Sequence, residues 1–310
     1  MTAFDIHQHL WPESFLAALS ARRAPPRLIR RREGWILRMH GEEDAPVDLS
    51  AHDPDRRVAL LDAGGIDRAL VAPSTPLGVE ALPPDESAPL LQAYHAGVAA
   101  LPPRFGAWAA VGLVAPDASA LDALLDAGFA GACVAADALA ERDSLAALGP
   151  VLELLERRDA PLLVHPGPSP RTLSTVAAAG MPPWWPALTR YVCGMHAAWH
   201  AFAAVGRPAH PRLRVCFAML AGLAPLHREW LAARGGRHGG DARIFLDTSS
   251  YGSRAMDAVI REVGVDALVH GSDIPVIAGA EADLGRAVSV AVRERNPARL
   301  LSTADQEVAV

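Results

Sequence analysis

Apolar runs of four to eight residues alternate with amphipathic stretches along almost the whole chain. The candidate strands are 3–9, 68–74, 105–114, 131–137, 161–165, 214–220, 244–249 and 267–273. Most are continuously apolar, the pattern of strands covered on both faces. Helical periodicity fills the intervals at 54–64, 86–101, 118–128, 144–158, 187–206, 225–234, 254–264 and 281–294. Several of these stretches end at glycine, and Asp53-Pro54 and Ser253 read as N-terminal caps. Strands and helices in this alternation predict an α/β fold, a parallel (β/α)8 TIM barrel. An open doubly wound sheet shares the rhythm. It requires a Gly-rich phosphate turn after the first strand, where this chain has His7-Gln8-His9.

One interval breaks the rhythm. More than forty residues separate the first strand from the first helix. Within it, Arg27-Leu28-Ile29-Arg30 and Trp35-Ile36-Leu37-Arg38 read as two short strands around a turn. Residues 25–50 are therefore expected to form a small β-hairpin insertion over the barrel mouth, within one barrel domain spanning 1–310. Residues 235–240 read as a flexible Gly/Arg loop.

Composition narrows the functional classes. Hydrophobic residues make up 51% of the chain, enough for a large core. The net charge of −6 gives no basis for nucleic-acid binding. No apolar run reaches the ~20 residues of a membrane span, and the N-terminus lacks the apolar run of a signal peptide. Cys133, Cys193 and Cys216 are widely spaced in apolar surroundings, which suits buried free thiols in a reducing cytoplasm. The sequence has no lysine: all 29 cationic side chains are arginine. Schiff-base chemistry, a phosphate-loop lysine and a carboxylated-lysine metal bridge are excluded.

In a barrel, catalytic groups sit at the C-terminal ends of the strands. The first strand there supplies His7 and His9, two residues apart and so on one face. The fifth ends in His165 and the eighth in Asp273. Three imidazoles and a carboxylate make a four-ligand site for one divalent ion, Zn²⁺ foremost, with Mn²⁺, Fe²⁺ or Co²⁺ also suited to N/O ligation. Asp273 is also the candidate catalytic base, because a bound carboxylate can still accept a proton. Trp11 and Trp184 are candidates for walling a substrate pocket, equally suited to packing the loops. Arg38, Arg171 and Arg190 are placed to meet an anionic substrate. Asp137, ending the fourth strand, reads as a cap or solvated group. His196 and His200 share a helix face without a Glu to complete a metal motif, and His270 should point away from the ligands.

These motifs resemble the amidohydrolase superfamily, and within it the amidohydrolase-related group that includes aminocarboxymuconate-semialdehyde decarboxylase and the resorcylate-type decarboxylases. The likeness rests on Asp5-Ile6-His7-Gln8-His9, the segment from Trp35 to Gly41, Leu61-Asp62-Ala63-Gly64-Gly65-Ile66-Asp67, Val164-His165-Pro166, Gly271-Ser272-Asp273-Ile274-Pro275 and Asn296-Pro297-Ala298-Arg299-Leu300-Leu301. It implies metal ligation by His7, His9, His165 and Asp273, a single ion, a cytoplasmic homodimer and a small-molecule substrate, expected to be a carboxylate. Either decarboxylation of an aromatic or unsaturated acid, or hydrolysis of an amide, ester or lactone, fits. The hairpin favours the decarboxylases. One position departs from the family, which carries a histidine at the end of the sixth strand. Met219 stands there, facing the substrate in that scheme, and a thioether cannot act as a base. A catalytically degenerate barrel serving as a binding protein is the reading that Met219 opens. A metal-independent member using its histidines as acid and base is a third.

Overall fold

The computed structural model describes residues 1–174, 180–182, 184–236, 240–277 and 284–301. Its barrel strands are β1 (Phe4–Gln8), β2 (Arg68–Val71), β3 (Phe105–Ala107 continued by Ala109–Ala110), β4 (Ala132–Ala135), β5 (Leu162–His165), β6 (Val215–Phe217), β7 (Ile244–Asp247) and β8 (Leu268–Val269). Each lies inside its predicted interval, shortened at the ends. Neighbours pair in parallel, β1 to β2 to β3 in one run and β3 to β8 in another. Backbone hydrogen bonds from Ile6 N–H to His270 C=O (2.9 Å) and from Ser272 N–H to His7 C=O (3.1 Å) join the two outer strands.

The interior explains why these short runs stay together. Ile6, Leu70, Trp108, Cys133, Leu163, Cys216, Phe245 and Val269, one from each strand, pack into a single inner cluster. Trp108 is fully buried and its indole N–H donates to the Ile6 carbonyl at 2.8 Å, so the largest side chain satisfies its one polar atom across the barrel. The β-strands are buried on the outer face as well, by the helices, which is why they read as unbroken apolar runs.

The helices largely follow the periodicity. The Pro54–Gly64 helix has the expected ends. Asp53 accepts from the N–H groups of Asp55 and Arg56, and Gly65 closes the helix in the left-handed region at φ +61°. Ser253 is instead the first helical residue, with Gly252 in the cap position and no side-chain cap. The 144–158 stretch divides into Arg142–Ala147 and Gly149–Arg157 at Gly149-Pro150, because proline has no N–H to continue the ladder. The last predicted helix begins at Arg286; residues 281–283 of it, and 237–239 of the predicted loop, lie outside the described residues. Cys133 and Cys216 are buried as expected, whereas Cys193 is exposed on its helix.

The insertion is larger than a hairpin. Arg27–Arg31, Gly34–Arg38 and Ala45–Val47 form a three-stranded antiparallel sheet. Pro46 lowers the strand propensity of the third, but it lies at a sheet edge, where a missing N–H costs little. A helix over Glu13–Ala21 precedes it, burying Phe15 and Leu19 four residues apart.

Glu80, in the turn after β2, is 2% exposed and its Oε2 has no hydrogen-bond partner among the described residues. Burial pushes its pKa from 4.5 up to about 7. The folded chain then holds a proton that the unfolded chain releases, so stability falls as pH rises from 4.5 through 7, by about 3 kcal/mol in all. Glu80→Gln should abolish this dependence. Relative to wild type, the variant is expected to gain about 3 kcal/mol between about pH 4 and pH 8 in urea denaturation. An unchanged difference at the two pH values would exclude Glu80 as the titrating group.

Candidate metal centre

The first two ligands depend on an irregularity in β1. Asp5 pairs with Ala69 but Gln8 with Val71, so three steps on β1 match two on β2. Regular alternation would turn His7 outward, because Ile6 already faces the interior. The extra residue reverses the parity, and His7 and His9 both face in. His165 ends β5. Asp273 stands four residues beyond β8, in a loop where its φ of +57° is left-handed, a conformation aspartate tolerates better than most residues.

All four side chains are buried, and one ligand atom from each lies within 4.8 Å of the others. His7 Nε2 is 3.2 Å from His9 Nε2, and His9 Nε2 is 3.3 Å from His165 Nε2. Asp273 Oδ1 is 3.0 Å from His9 Nε2 and 3.7 Å from His7 Nε2. A tetrahedral ion with bonds of ~2.0–2.1 Å has ligand-to-ligand edges of about 3.3–3.4 Å. The spacing therefore fits one ion at the common centre. Asp273 Oδ1 is buried there against the imidazoles, 3.0 Å from His9 Nε2. Such an atom is costly unless something cationic meets it.

The outer nitrogens hold the rings in this pose. His7 Nδ1 is 2.7 Å from Asp247 Oδ2, His9 Nδ1 is 3.0 Å from the Ala72 carbonyl, and His165 Nδ1 is 2.7 Å from Thr75 Oγ1. With those partners taken, every Nε2 is left for the centre. A Cβ at Gly271 would come within 2.9 Å of the Asp247 carboxyl carbon and 3.0 Å of His7 Cβ, so only glycine lets β8 pass the pair.

The field at the centre favours positive charge. Burial opposes protonation of His7, yet the Asp247, Asp273 and Asp5 carboxylates outweigh it and raise its pKa from 6.5 to about 9. Burial alone would raise Asp273, but His9 and His7 beside it hold it below the ordinary carboxylate range. His165 is lowered by its burial and by the two neighbouring imidazoles.

The remaining sequence candidates fall in different places. Met219 follows β6, and its N–H donates to Asp247 Oδ1 at 3.0 Å, on the carboxylate that holds His7. It opens a run from Met219 to Leu223 in which every residue has positive φ, between 48° and 66°. Trp11 is packed away, stacked on His52 at 4.5 Å with its indole N–H donating to Ser74 Oγ. Arg38 is tied within the insertion to Asp44 by two hydrogen bonds of 2.8 and 2.6 Å. Trp184 is exposed beside Trp185. Arg171 pairs with Glu141, and Arg190 reaches towards Glu42 of the insertion, whose carboxylate accepts from Tyr191 at 2.5 Å. His196 donates to the Gly222 carbonyl. Asp137 accepts from Thr172 Oγ1, away from the four ligands. Asp247 itself was not singled out from the sequence.

No family model matches the sequence, and no curated protein matches it. Solved structures do. The 5-carboxyvanillate decarboxylase of Sphingomonas paucimobilis superposes with a TM-score of 0.72 at 15% identity, over 97% of this chain and 99% of that one. The 2,6-dihydroxybenzoate decarboxylase of Rhizobium gives 0.67 at 18%, over 98% and 99%. The 5-carboxyvanillate decarboxylase of Novosphingobium aromaticivorans, solved with manganese and 4-hydroxy-3-methoxy-5-nitrobenzoic acid, gives 0.71 at 17%, over 97% and 96%. The chain has the fold of these decarboxylases. The (β/α)8 architecture expected from the strand rhythm is thereby shown over nearly its full length. Among the described residues, no helix is long and apolar enough to cross a membrane.

Proposed function

We propose that the chain is a metal-dependent carboxy-lyase, acting on an aromatic or unsaturated carboxylic acid. The observation that carries this reading is the convergence of three Nε2 atoms and a carboxylate oxygen on one buried point. His7, His9, His165 and Asp273 would hold a single divalent ion, which when bound polarises a substrate oxygen and stabilises negative charge developing on the substrate. We take the ion to be Zn²⁺ from the N/O donor set; manganese in a relative of the same fold supports the coarser assignment to a divalent metal. Asp273, ionised at rest, would first take a proton from solvent. As the carbon–carboxylate bond breaks, CO₂ leaves, and the electron pair left on carbon takes that proton from Asp273, which returns to its ionised form.

With Met219 at the sixth strand, Asp273 is the proton-transfer group left for either decarboxylation or hydrolysis. The likeness to decarboxylases favours the first. The relatives' substrates, hydroxylated benzoates, support an aromatic acid. We further propose a homodimer in the cytoplasm. Exposed Trp184, Leu188, Leu226 and Trp230 offer apolar surface to a second copy, and the three cysteines are free.

The test is CO₂ release from a panel of hydroxylated benzoates by the metal-loaded protein, with and without exhaustive chelation. At least one acid is expected to turn over, with a loss of at least ~10²-fold on chelation. Activity indifferent to chelation would reject the metal role. Silence across the panel, with turnover appearing in Met219→His, would instead identify a degenerate barrel.

A further inference from the structure

The segments that carry the candidate ligands are joined by a buried network that contains none of them. Arg57, in the helix Pro54–Gly64, is 1% exposed. Its Nη1 donates to the His9 carbonyl at 3.1 Å, and its Nη2 donates to the Ile274 carbonyl at 3.1 Å and to Gln8 Oε1. Gln8 Nε2 in turn donates to Asp5 Oδ2 at 2.7 Å. Asp5 Oδ1 accepts from the N–H of His7 at 3.1 Å and of Ser272 at 3.0 Å. One guanidinium thus meets the chain at His9 and at the residue after Asp273. One carboxylate meets it at His7 and at the residue before Asp273.

We propose that Arg57 is a positioning residue for the metal centre, fixing the distance between the β1 ligands and the Asp273 loop through two backbone carbonyls and Gln8. This rests on the metal-centre reading above. The chemistry requires an arginine. A guanidinium presents donors in a planar fork and can address two chain segments at fixed separation, whereas an ammonium is a point charge on a flexible stem. The site needs that fixity. His7 and His9 sit on a strand irregularity, and Asp273 sits in a left-handed loop beyond its strand; backbone bonds from the Asp273 N–H to the His7 carbonyl (2.9 Å) and from the His9 N–H to the Ile274 carbonyl (2.8 Å) join the two segments, and the Arg57 fork ties the same two carbonyl-bearing stretches from the side. Burial lowers the Arg57 pKa from 12.5 to about 10, so the group keeps its charge in neutral solution. An isolated buried cation would be unfavourable, and the three hydrogen bonds to Gln8 and the two carbonyls, with the Asp5 carboxylate nearby, offset that.

The experiment is Zn²⁺ affinity, measured by competition with a chromophoric chelator, in wild type, Arg57→Lys, Gln8→Met and Leu61→Ala. Leu61 is buried in the same helix and bonds to none of these segments. Arg57→Lys and Gln8→Met are expected to lose tenfold or more in affinity. Their Co²⁺-substituted forms should also show a changed ligand-field spectrum. Leu61→Ala should lower Tm and leave both readouts as in wild type. Wild-type affinity in either network variant would overturn the proposal, as would an equal loss in Leu61→Ala. If Arg57→Lys does not fold, Gln8→Met decides. A wild-type protein that takes up no Zn²⁺ would instead overturn the metal-centre reading itself.

Discussion

Asp273→Asn is expected to lower kcat by about 10³-fold while the protein keeps most of its metal. The amide is the same size and retains an oxygen for the ion. Asparagine also tolerates the left-handed backbone at this position, φ +57°, as well as aspartate does. The loop and the first three ligands should therefore survive. What the variant cannot do is carry a proton, and proton transfer by a positioned group is typically worth 10²–10⁴ in rate. The side chain is held in the ionised range by His9 and His7, ready to take the proton it later delivers. Steady-state kinetics and metal analysis on the same preparation separate the two roles. A variant with full metal and a kcat within about tenfold of wild type would rule out Asp273 as the proton carrier. Parallel loss of metal and rate would show that its contribution is ligation.

Much of this centre was legible in the sequence because strand ends are where a barrel exposes chemistry. That rule selected His7, His9, His165 and Asp273, and the structure brings those four together. The same rule applied to Ile244-Phe245-Leu246-Asp247 would have singled out Asp247. A lone acid after three apolar residues looks like a strand terminator until the neighbouring strands show what it faces. Arg57 was less accessible. It follows Arg56 near the start of an amphipathic helix, and there an arginine ordinarily belongs to the solvated face. Only the tertiary arrangement shows that Arg56 is exposed and Arg57 buried. The β1 irregularity left no trace either, since His-x-His on a regular strand also places both rings on one face. Its presence is revealed by Ile6, which shares the interior with them. The substrate candidates read from loop position fared differently from the ligands. Arg38 finds Asp44 six residues on and Trp11 finds His52 forty-one residues on, partners that periodicity does not disclose.

Asp247→Asn should weaken metal binding by roughly 10–100-fold, and the reason lies in donors and acceptors rather than shape. The Asp247 carboxylate is fully buried and accepts on both sides. Oδ2 meets His7 Nδ1 at 2.7 Å, while Oδ1 meets the N–H groups of Ser249 (2.9 Å) and Met219 (3.0 Å). An amide has one acceptor and one donor end. If its oxygen stays with Ser249 and Met219, its NH₂ faces His7, and the ring must accept at Nδ1. His7 then carries its proton on Nε2, the atom that points at the centre, and cannot ligate there. If the amide turns over, its NH₂ faces two backbone donors in a buried site, costing about 1–3 kcal/mol for each group left unpaired. Either outcome harms the centre, so the variant has no orientation that preserves both sides. Chelator competition should register the first and urea denaturation the second. The left-handed turn from Met219 to Leu223 adds to the second cost, because its first N–H is anchored on this carboxylate. A variant that kept wild-type metal affinity and wild-type stability would show that Asp247 orients neither His7 nor the turn.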